Sequence, residues 1–305
     1  MKKKILILGG GISKERQISL ETAKQVKKTL KKKYSVLQSD LDKNFETKLK
    51  LFKPEIVFNA LHGRFGEDGY AQTILEYNKI KYTHSGVYSS SLAIDKEVSK
   101  KIFKKNKILT PPSFKITSIH KRIQKKIIKK INNSFKFPVV IKPLNEGSSV
   151  GVYICNNKNF IKNLNKLKDY NEILVEKYIP GREIQAAVLG KKKLGAIELI
   201  PNRKFYDYKA KYQKNAKTKH LMPAPLSQIN YDKVNYIALK AHKLLKCRGV
   251  SRSDFRFYNN KFYLLELNTQ PGMTSLSLVP EIARFKNITF FKLIEFLVKD
   301  ASINR

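Results

Sequence analysis

The chain has 305 residues, of which 42% are hydrophobic, and it carries a formal net charge of +38 and two cysteines. This length allows two or three lobes with buried cores, whereas two cysteines without zinc-ligand spacing exclude a disulfide framework and favour a reducing compartment. Only ten of the 62 basic residues are arginine and lysine occurs in every segment, which indicates a compositional bias rather than a nucleic-acid-binding surface.

The N-terminus is only briefly similar to a signal peptide. Met1–Lys4 is basic and Ile5–Leu8 is apolar, but Gly9 ends the apolar run, whereas a signal peptide needs roughly 7–15 apolar residues. No other segment approaches the ~20 apolar residues that cross a membrane. The sequence therefore predicts a cytoplasmic protein that is not inserted in a membrane.

The segment 1–93 alternates predicted strands and helices. Ile5–Leu8 predicts a buried strand, and the helical spacing of apolar residues from Leu20 to Leu30 predicts the following helix. Further elements are predicted at Tyr34–Leu37, Ile56–Phe58, Ala71–Tyr77 and Ile80–Tyr82. This alternation predicts an α/β lobe with a parallel sheet that binds ligands at the carboxyl ends of its strands.

Two further lobes are expected, at 94–180 and 181–305. The elements predicted in 94–180 are a helix after Asp95, a lysine-rich helix near 121–131, and strands at Val139–Lys142, Val152–Ile154 and Ile173–Val175. Those predicted in 181–305 are strands at Glu183–Leu189 and Leu194–Leu199, a polar loop at 201–224, a helix at 231–246, a hairpin of Ser253–Tyr258 and Lys261–Leu267, and a helix at Ile288–Val298.

The predicted hairpin carries three oxygen-bearing side chains. Glu266 and Asn268 share one face of a strand because side chains alternate, and Asp254 lies on the other strand. A three-residue turn would place Asp254 opposite Glu266, whereas a two-residue turn would shift the register and place Asp254 on the other face. Such oxygen ligands suit Mg²⁺; the alternative is an ordinary exposed strand face.

Glycine-rich segments follow three of the predicted strands. Lys142 ends a strand before Glu146–Gly151, whose backbone N–H groups suit a phosphate unless the segment is a plain turn. Gly9–Gly11 lacks the dinucleotide fingerprint, yet a helix N-terminus followed by Glu15 suits an amino acid zwitterion. His62 opens another such loop, either as a proton acceptor or as a hydrogen-bonded structural residue.

Together these segments resemble the D-alanine–D-alanine ligases, members of the ATP-grasp family, over residues 4–298. The matching segments are Gly9–Ser19, Ala60–Gly69, Tyr82–Lys96, Val140–Gly151, Phe205–Tyr212, Ser251–Asp254 and Leu264–Pro280. The resemblance implies a Rossmann-like pre-ATP-grasp domain (1–93) and a two-lobed ATP-grasp domain (94–180 and 181–305), usually in a homodimer. It also implies that ATP drives the joining of two D-alanine molecules through an acyl phosphate, for peptidoglycan synthesis.

The resemblance implies substrate-binding and catalytic roles for residues of all three lobes. Glu15 and His62 would hold the first D-alanine, and Arg252 would stabilise the developing oxyanion. The residues expected around the second D-alanine are Gly272, Ser277 and Leu278. The residues expected in two mobile loops over the site are Ser148, Lys211 and Tyr212. The Lys211–Tyr212 pair favours an amino acid rather than D-lactate as the second substrate.

The resemblance also implies a nucleotide site and a metal site. The residues expected to contact ATP are Lys96 and Lys142 at the phosphates, Glu176, Lys177 and Ile179 at the adenine, and Glu183 at the ribose. Asp254, Glu266 and Asn268 would bind two Mg²⁺ ions, with Mn²⁺ as a substitute.

Two alternatives explain parts of this pattern. An ATP-grasp ligase for another amino acid pair predicts the same metal trio but little stimulation of ATP turnover by D-alanine. A nucleic-acid-binding protein predicts salt-sensitive binding without ATP hydrolysis, and it leaves the trio unexplained. Glu15 and His62 favour the D-alanine ligase, because general ATP-grasp enzymes share only the later motifs.

Overall fold

The computed structural model describes residues 2–147, 149–201 and 218–304, which form three β-sheets with helices packed against them. Within these residues, none of the helices combines the length and the apolar character that crossing a lipid bilayer requires.

The first sheet is parallel, as predicted, with the order β2-β1-β3-β4. Its strands are β1 (Lys4–Leu8), β2 (Ser35–Ser39), β3 (Ile56–Asn59) and β4 (Lys81–Tyr82), and its helices are α1 (Arg16–Leu30), α2 (Phe45–Phe52), α3 (Tyr70–Tyr77) and α4 (Val87–Ile94). Because β1 pairs with β2 on one side and β3 on the other, the loops after β1 and β3 diverge. Open α/β sheets bind ligands in the crevice at this point.

The central sheet is antiparallel, with the order β5-β8-β6-β7. Its elements are β5 (Ser113–Ile116), α6 (Lys121–Ser134), β6 (Val139–Pro143), β7 (Tyr153–Cys155), α7 (Phe160–Asn165) and β8 (Ile173–Lys177). Ile127 and Ile131 of α6 pack in one core with Ile141 and Val175 of the sheet. The lysines of α6 lie on the solvent-exposed face, as expected for an amphipathic helix.

The C-terminal sheet is also antiparallel, with the order β11-β10-β9-β12-β13. Its strands are β9 (Arg182–Leu189), β10 (Lys192–Ile200), β11 (Lys219–Leu221), β12 (Val250–Tyr258) and β13 (Lys261–Asn268). The helices packed near it are α5 (Lys96–Lys105), α8 (Gln228–Leu244), α9 (Leu278–Phe285) and α10 (Phe290–Asp300). β11 lies within the region that was expected to be a polar loop. The sequence does not reveal this strand, because three residues are too few to give a periodic pattern.

Helix α5 begins where the sequence predicts it. The Asp95 carboxylate accepts hydrogen bonds from the backbone N–H groups of Glu97 and Val98, both at 2.9 Å, which satisfies donors that the first helical turn leaves unpaired. Phe103 of α5 packs into the core of the C-terminal sheet with Phe255 and Leu264. The helix therefore packs against the C-terminal sheet.

The first and C-terminal sheets share one hydrophobic core. Val26 and Leu30 of α1 pack in the same cluster as Leu293 and Leu297 of α10, and all four side chains are fully buried. A backbone bridge between Tyr82 and Ser302 adds a second link. This shared core fixes the loops of the first sheet relative to the strands of the C-terminal sheet.

Candidate active site

The hairpin of β12 and β13 brings the predicted trio together through a bulge. Asn259 and Asn260 form a two-residue turn with positive φ at both positions, which is typical of a tight hairpin. The expectation that only a three-residue turn would pair Asp254 with Glu266 is therefore wrong. The register shifts at Leu265, so that Asp254 still lies opposite Glu266, because a β-bulge adds one unpaired residue to one strand.

Each carboxylate of the trio lies beside a cation. Arg252 donates from Nε and Nη2 to the two carboxylate oxygens of Asp254, at 2.7 and 3.1 Å. Lys96 Nζ lies 3.6 Å from Glu266 Oε2, and Asn268 Oδ1 accepts the backbone N–H of Gln270 at 2.7 Å. The sheet therefore offers a compact set of hard oxygen ligands whose negative charge is balanced by two cations.

This set fits Mg²⁺ by its chemistry. Among the described residues, no group of three or more His, Cys, Asp or Glu side chains forms a metal site; the trio instead combines two carboxylates with one amide. Mg²⁺ is commonly held by one or two carboxylates together with substrate phosphates and water, which the trio and the pocket beside it allow.

The candidate nucleotide pocket lies between the central and C-terminal sheets. The predicted nucleotide residues that line it are Lys96, Lys142, Glu176, Lys177, Ile179 and Glu183. Asp254 and Glu266 line the same pocket, which places the candidate metal ligands beside the candidate nucleotide residues. The side chains of Lys96 and Lys142 are almost fully buried.

Two buried lysines share the carboxylate of Glu176. Lys142 Nζ lies 2.7 Å from Oε1, and Lys100 Nζ donates to Oε2 at 2.7 Å. Burial opposes the charge of Glu176, but the two ammonium groups outweigh it and lower the pKa of the carboxyl group. Burial likewise opposes the charge of Lys142, yet Glu176 and Glu266 raise the pKa of Lys142. At Lys96 burial is the stronger effect, and it lowers the pKa of Lys96. The pocket wall thus holds the charged side chain of Lys142, paired with Glu176, where it can contact an anionic ligand.

Arg256 also belongs to this pocket, although its motif was not singled out in the sequence. It lies two residues beyond Asp254 on β12, and it donates to the carbonyl oxygen of Ile179 at 3.1 Å and to Glu183 at 3.3 Å. It also donates to the hydroxyl of Tyr178 at 3.4 Å. The alternation of Arg252, Asp254 and Arg256 along one strand face was the signal that could have identified it.

A second, polar pocket meets the first at Lys96, Glu146 and Glu266. The predicted residues that line it are Glu15, His62, Arg252, Asn268 and Gly272. Glu15 and His62 come from the loops after β1 and β3, at the point where the first sheet diverges. The polar pocket therefore places the carboxylate of Glu15 and the guanidinium of Arg252 next to the nucleotide pocket.

His62 is hydrogen-bonded at both ring nitrogens. Nε2 lies 3.1 Å from Thr22 Oγ1 and Nδ1 lies 3.4 Å from Glu67 Oε1, and all three side chains are buried. Thr22 Oγ1 also accepts the backbone N–H of Met273 at 3.4 Å. These contacts hold the imidazole ring between α1 and the loop after β3.

The loop after β6 lies directly on Glu15. A Cβ atom built on Gly147 would lie 2.6 Å from Glu15 Oε2, and Lys14 Nζ donates to the hydroxyl of Tyr170 at 2.8 Å. These contacts bring the central sheet against the first sheet. The glycine at 147 is what permits the carboxylate to lie so close to the backbone.

The remaining predicted substrate residues lie after β13. Ser277 Oγ accepts the backbone N–H of Thr274 at 2.9 Å, and a Cβ built on Gly272 would lie 2.8 Å from that oxygen. The side chain of Leu278 packs in the shared core, so it does not join the polar pocket. Ser148, Lys211 and Tyr212, predicted in the two loops, lie outside the described residues.

Comparisons with known proteins agree with this geometry. A family model described as D-ala D-ala ligase C-terminus matches residues 102–299. A D-alanine–D-alanine ligase of Pelagibacter ubique (strain HTCC1062) is 64% identical over 306 residues, which span 100% of both chains.

Solved structures give the same result for the fold. A D-alanine–D-alanine ligase from Bacillus anthracis has a TM-score of 0.86 and 33% identity, covering 98% of this chain and 97% of that chain. A structure of a D-alanine–D-alanine ligase from Bacillus anthracis complexed with ATP has a TM-score of 0.84 and 29% identity, with the same coverage. The chain belongs to the D-alanine–D-alanine ligase family.

Proposed function

We propose that the protein joins two D-alanine molecules to D-alanyl-D-alanine with hydrolysis of ATP to ADP and phosphate, and so supplies a peptidoglycan precursor. The observation that carries this proposal is the junction of the two pockets. Lys96, Glu146 and Glu266 line both, so a nucleotide in one pocket would present its terminal phosphate to an amino acid in the other.

The buried charges suit the first chemical step. The carboxylate of one D-alanine takes the terminal phosphoryl group of ATP, ADP leaves, and an acyl phosphate forms. Phosphoryl transfer requires mainly positioning and charge neutralisation, which Lys96, Lys142 and Arg252 supply. Glu15 would hold the ammonium group of this D-alanine, because a buried carboxylate favours a paired cation.

The second step joins the amino acids. The amine of the second D-alanine loses a proton and attacks the carbonyl carbon of the acyl phosphate, and inorganic phosphate leaves with the bonding electrons of the broken C–O bond. Arg252 lies in the polar pocket, where its guanidinium would stabilise the oxyanion that forms during attack. Gly272 and Ser277 would border the second D-alanine.

Asp254, Glu266 and Asn268 would hold Mg²⁺, or Mn²⁺ in its place. The metal would neutralise phosphate charge when bound. With a metal bound there, Asp254 and Glu266 would no longer depend on Arg252 and Lys96 for charge balance, so both cations would be available to the substrates.

Homodimer formation and a cytoplasmic location are further proposals. Three exposed tyrosines support self-association, since exposed aromatic side chains are enriched at interfaces; they are Tyr70, Tyr77 and Tyr88 on α3 and α4. Light scattering that gives twice the monomer mass would support the dimer, and a monomer mass at all concentrations would contradict it.

The function is tested by measuring phosphate release from ATP and Mg²⁺ with D-alanine, L-alanine or no amino acid, together with mass analysis of the product. We expect release that depends on D-alanine and a product with the mass of an alanine dipeptide. ATP turnover that does not depend on D-alanine would agree with an ATP-grasp enzyme but would refute D-alanine as the substrate.

A further inference from the structure

Lys100 is a buried cation to which the proposed reaction assigns no role. It lies four residues after Lys96 on α5, so the two side chains share one helix face, and its relative exposure is 2%. Lys100 is not among the residues that line the nucleotide pocket. Its Nζ donates to Glu176 Oε2 at 2.7 Å.

A buried, paired lysine needs a reason beyond stability. Taking an ammonium and a carboxylate out of water costs about as much as their attraction returns, so that apolar side chains often replace such pairs without loss. Burial lowers the pKa of Lys100 to about 8, so the side chain still carries its charge at pH 7. The pair with Glu176 is therefore maintained against a desolvation cost.

The second oxygen of Glu176 indicates what the pair does. Lys142 Nζ lies 2.7 Å from Glu176 Oε1, and Lys142 lines the nucleotide pocket. If Lys142 exchanges this carboxylate for a nucleotide phosphate, Glu176 loses one of its two cations. Without another cation, this movement would leave a buried carboxylate unpaired, which is costly.

We infer that Lys100 is a positioning residue that remains bound to Glu176 and thereby frees Lys142 to bind the nucleotide phosphates. This inference rests on the proposed function and extends its nucleotide site. Lys100 acts through Glu176 and does not contact the substrates. Lys100 keeps the carboxylate of Glu176 paired, so that Lys142 can exchange this carboxylate for a phosphate.

The inference is tested by nucleotide binding in the absence of D-alanine. The affinity of the full chain for Mg²⁺ and AMP-PNP, a non-hydrolysable ATP analogue, is measured by calorimetry for Lys100→Met and Lys100→Arg. Lys101→Met is the matched control, because Lys101 lies next along α5 with an exposed side chain paired to Glu97. Thermal unfolding establishes that each variant is folded, and Lys100→Gln replaces Lys100→Met if the latter is not.

We expect Lys100→Met to weaken AMP-PNP binding about tenfold to a hundredfold, the range of one charge-assisted hydrogen bond. Lys100→Arg should retain most of the affinity because it keeps the cation, and Lys101→Met should change it less than about threefold. In turnover assays the loss should appear in KM for ATP, with KM for D-alanine unchanged. Wild-type affinity in Lys100→Met would overturn the inference.

A double-mutant cycle separates this role from a purely structural one. If Lys100 acts through Glu176, then Lys100→Met should cost much less in a Glu176→Gln background than in the wild type. An equal loss in both backgrounds would also overturn the inference. Because the AMP-PNP binding measurements need no D-alanine, failure of D-alanine-dependent turnover would refute the proposed function without affecting the binding results.

Discussion

Substituting alanine for Gly147 should displace the carboxylate of Glu15. The added Cβ would lie 2.6 Å from Glu15 Oε2, whereas ordinary contacts begin near 3.4 Å, so one of the two groups must retreat by about 0.8 Å. A displacement of about 1 Å in a reacting group can cost a hundredfold in rate. We therefore expect kcat/KM for D-alanine to fall by about two orders of magnitude in Gly147→Ala.

The assay is initial-rate phosphate release over a range of D-alanine concentrations, with calorimetry of AMP-PNP alongside. Asn145→Ala is the control, because Asn145 is exposed two residues earlier in the same segment. Nucleotide affinity should stay within about twofold, since Glu15 lies in the polar pocket only. Wild-type D-alanine kinetics in Gly147→Ala would refute the role given to Glu15.

Four further substitutions test the metal site, the shared core and a buried histidine. Asp254→Asn and Glu266→Gln should each reduce D-alanine-dependent phosphate release more than about a hundredfold with an unchanged circular dichroism spectrum, because Mg²⁺ loses an anionic ligand; wild-type activity at limiting Mg²⁺ would contradict this. Leu297→Ala should cost about 3–5 kcal/mol in urea unfolding, because the side chain is fully buried, and a loss below about 1 kcal/mol would count against the shared core. Burial lowers the pKa of His242 to about 4 from 6.5. As the pH falls, His242 therefore binds a proton in the unfolded chain before it does so in the folded chain. Stability should fall as the pH drops from about 6.5 to 4, by on the order of 3 kcal/mol, and His242→Gln should lose this slope.

The sequence predicts the elements of the first sheet and the hairpin because their patterns are local. Ile5–Leu8 and the helix that follows it are periodic runs bounded by glycine, and Asn259 and Asn260 are typical turn residues. Short or serine-rich elements such as α4 (Val87–Ile94) and β11 (Lys219–Leu221) give no such pattern, and they were not predicted.

The pairing of Asp254 with Glu266 could not be derived from turn length alone. The bulge at Leu265 depends on how β13 meets β12 and the nucleotide pocket, and nothing in the run Leu264–Leu267 marks which residue is the extra one. A bulge is therefore a tertiary feature that changes which side chains meet while leaving the local composition ordinary.

The partners of the buried charges were also beyond local patterns. Lys100 could have been singled out, since it shares a helix face with Lys96, but its carboxylate lies 76 residues away at Glu176. The hydrogen bonds of His62 likewise join the loop after β3 to Thr22 of α1 and to Glu67 within the same loop. The sequence predicts which ionisable groups lie near the site, whereas the fold determines which of these groups pair with one another.

The bridge between Tyr82 and Ser302 bears on the order in which the chain becomes structured during synthesis. Their separation means that more than 200 residues are translated before Tyr82 acquires this partner, and Val26 and Leu30 must likewise await α10 (Phe290–Asp300). We therefore expect a nascent chain that ends before residue 290 to expose apolar surface on its earliest sheet. Limited proteolysis of ribosome-bound chains of increasing length would then show late protection of α1 (Arg16–Leu30).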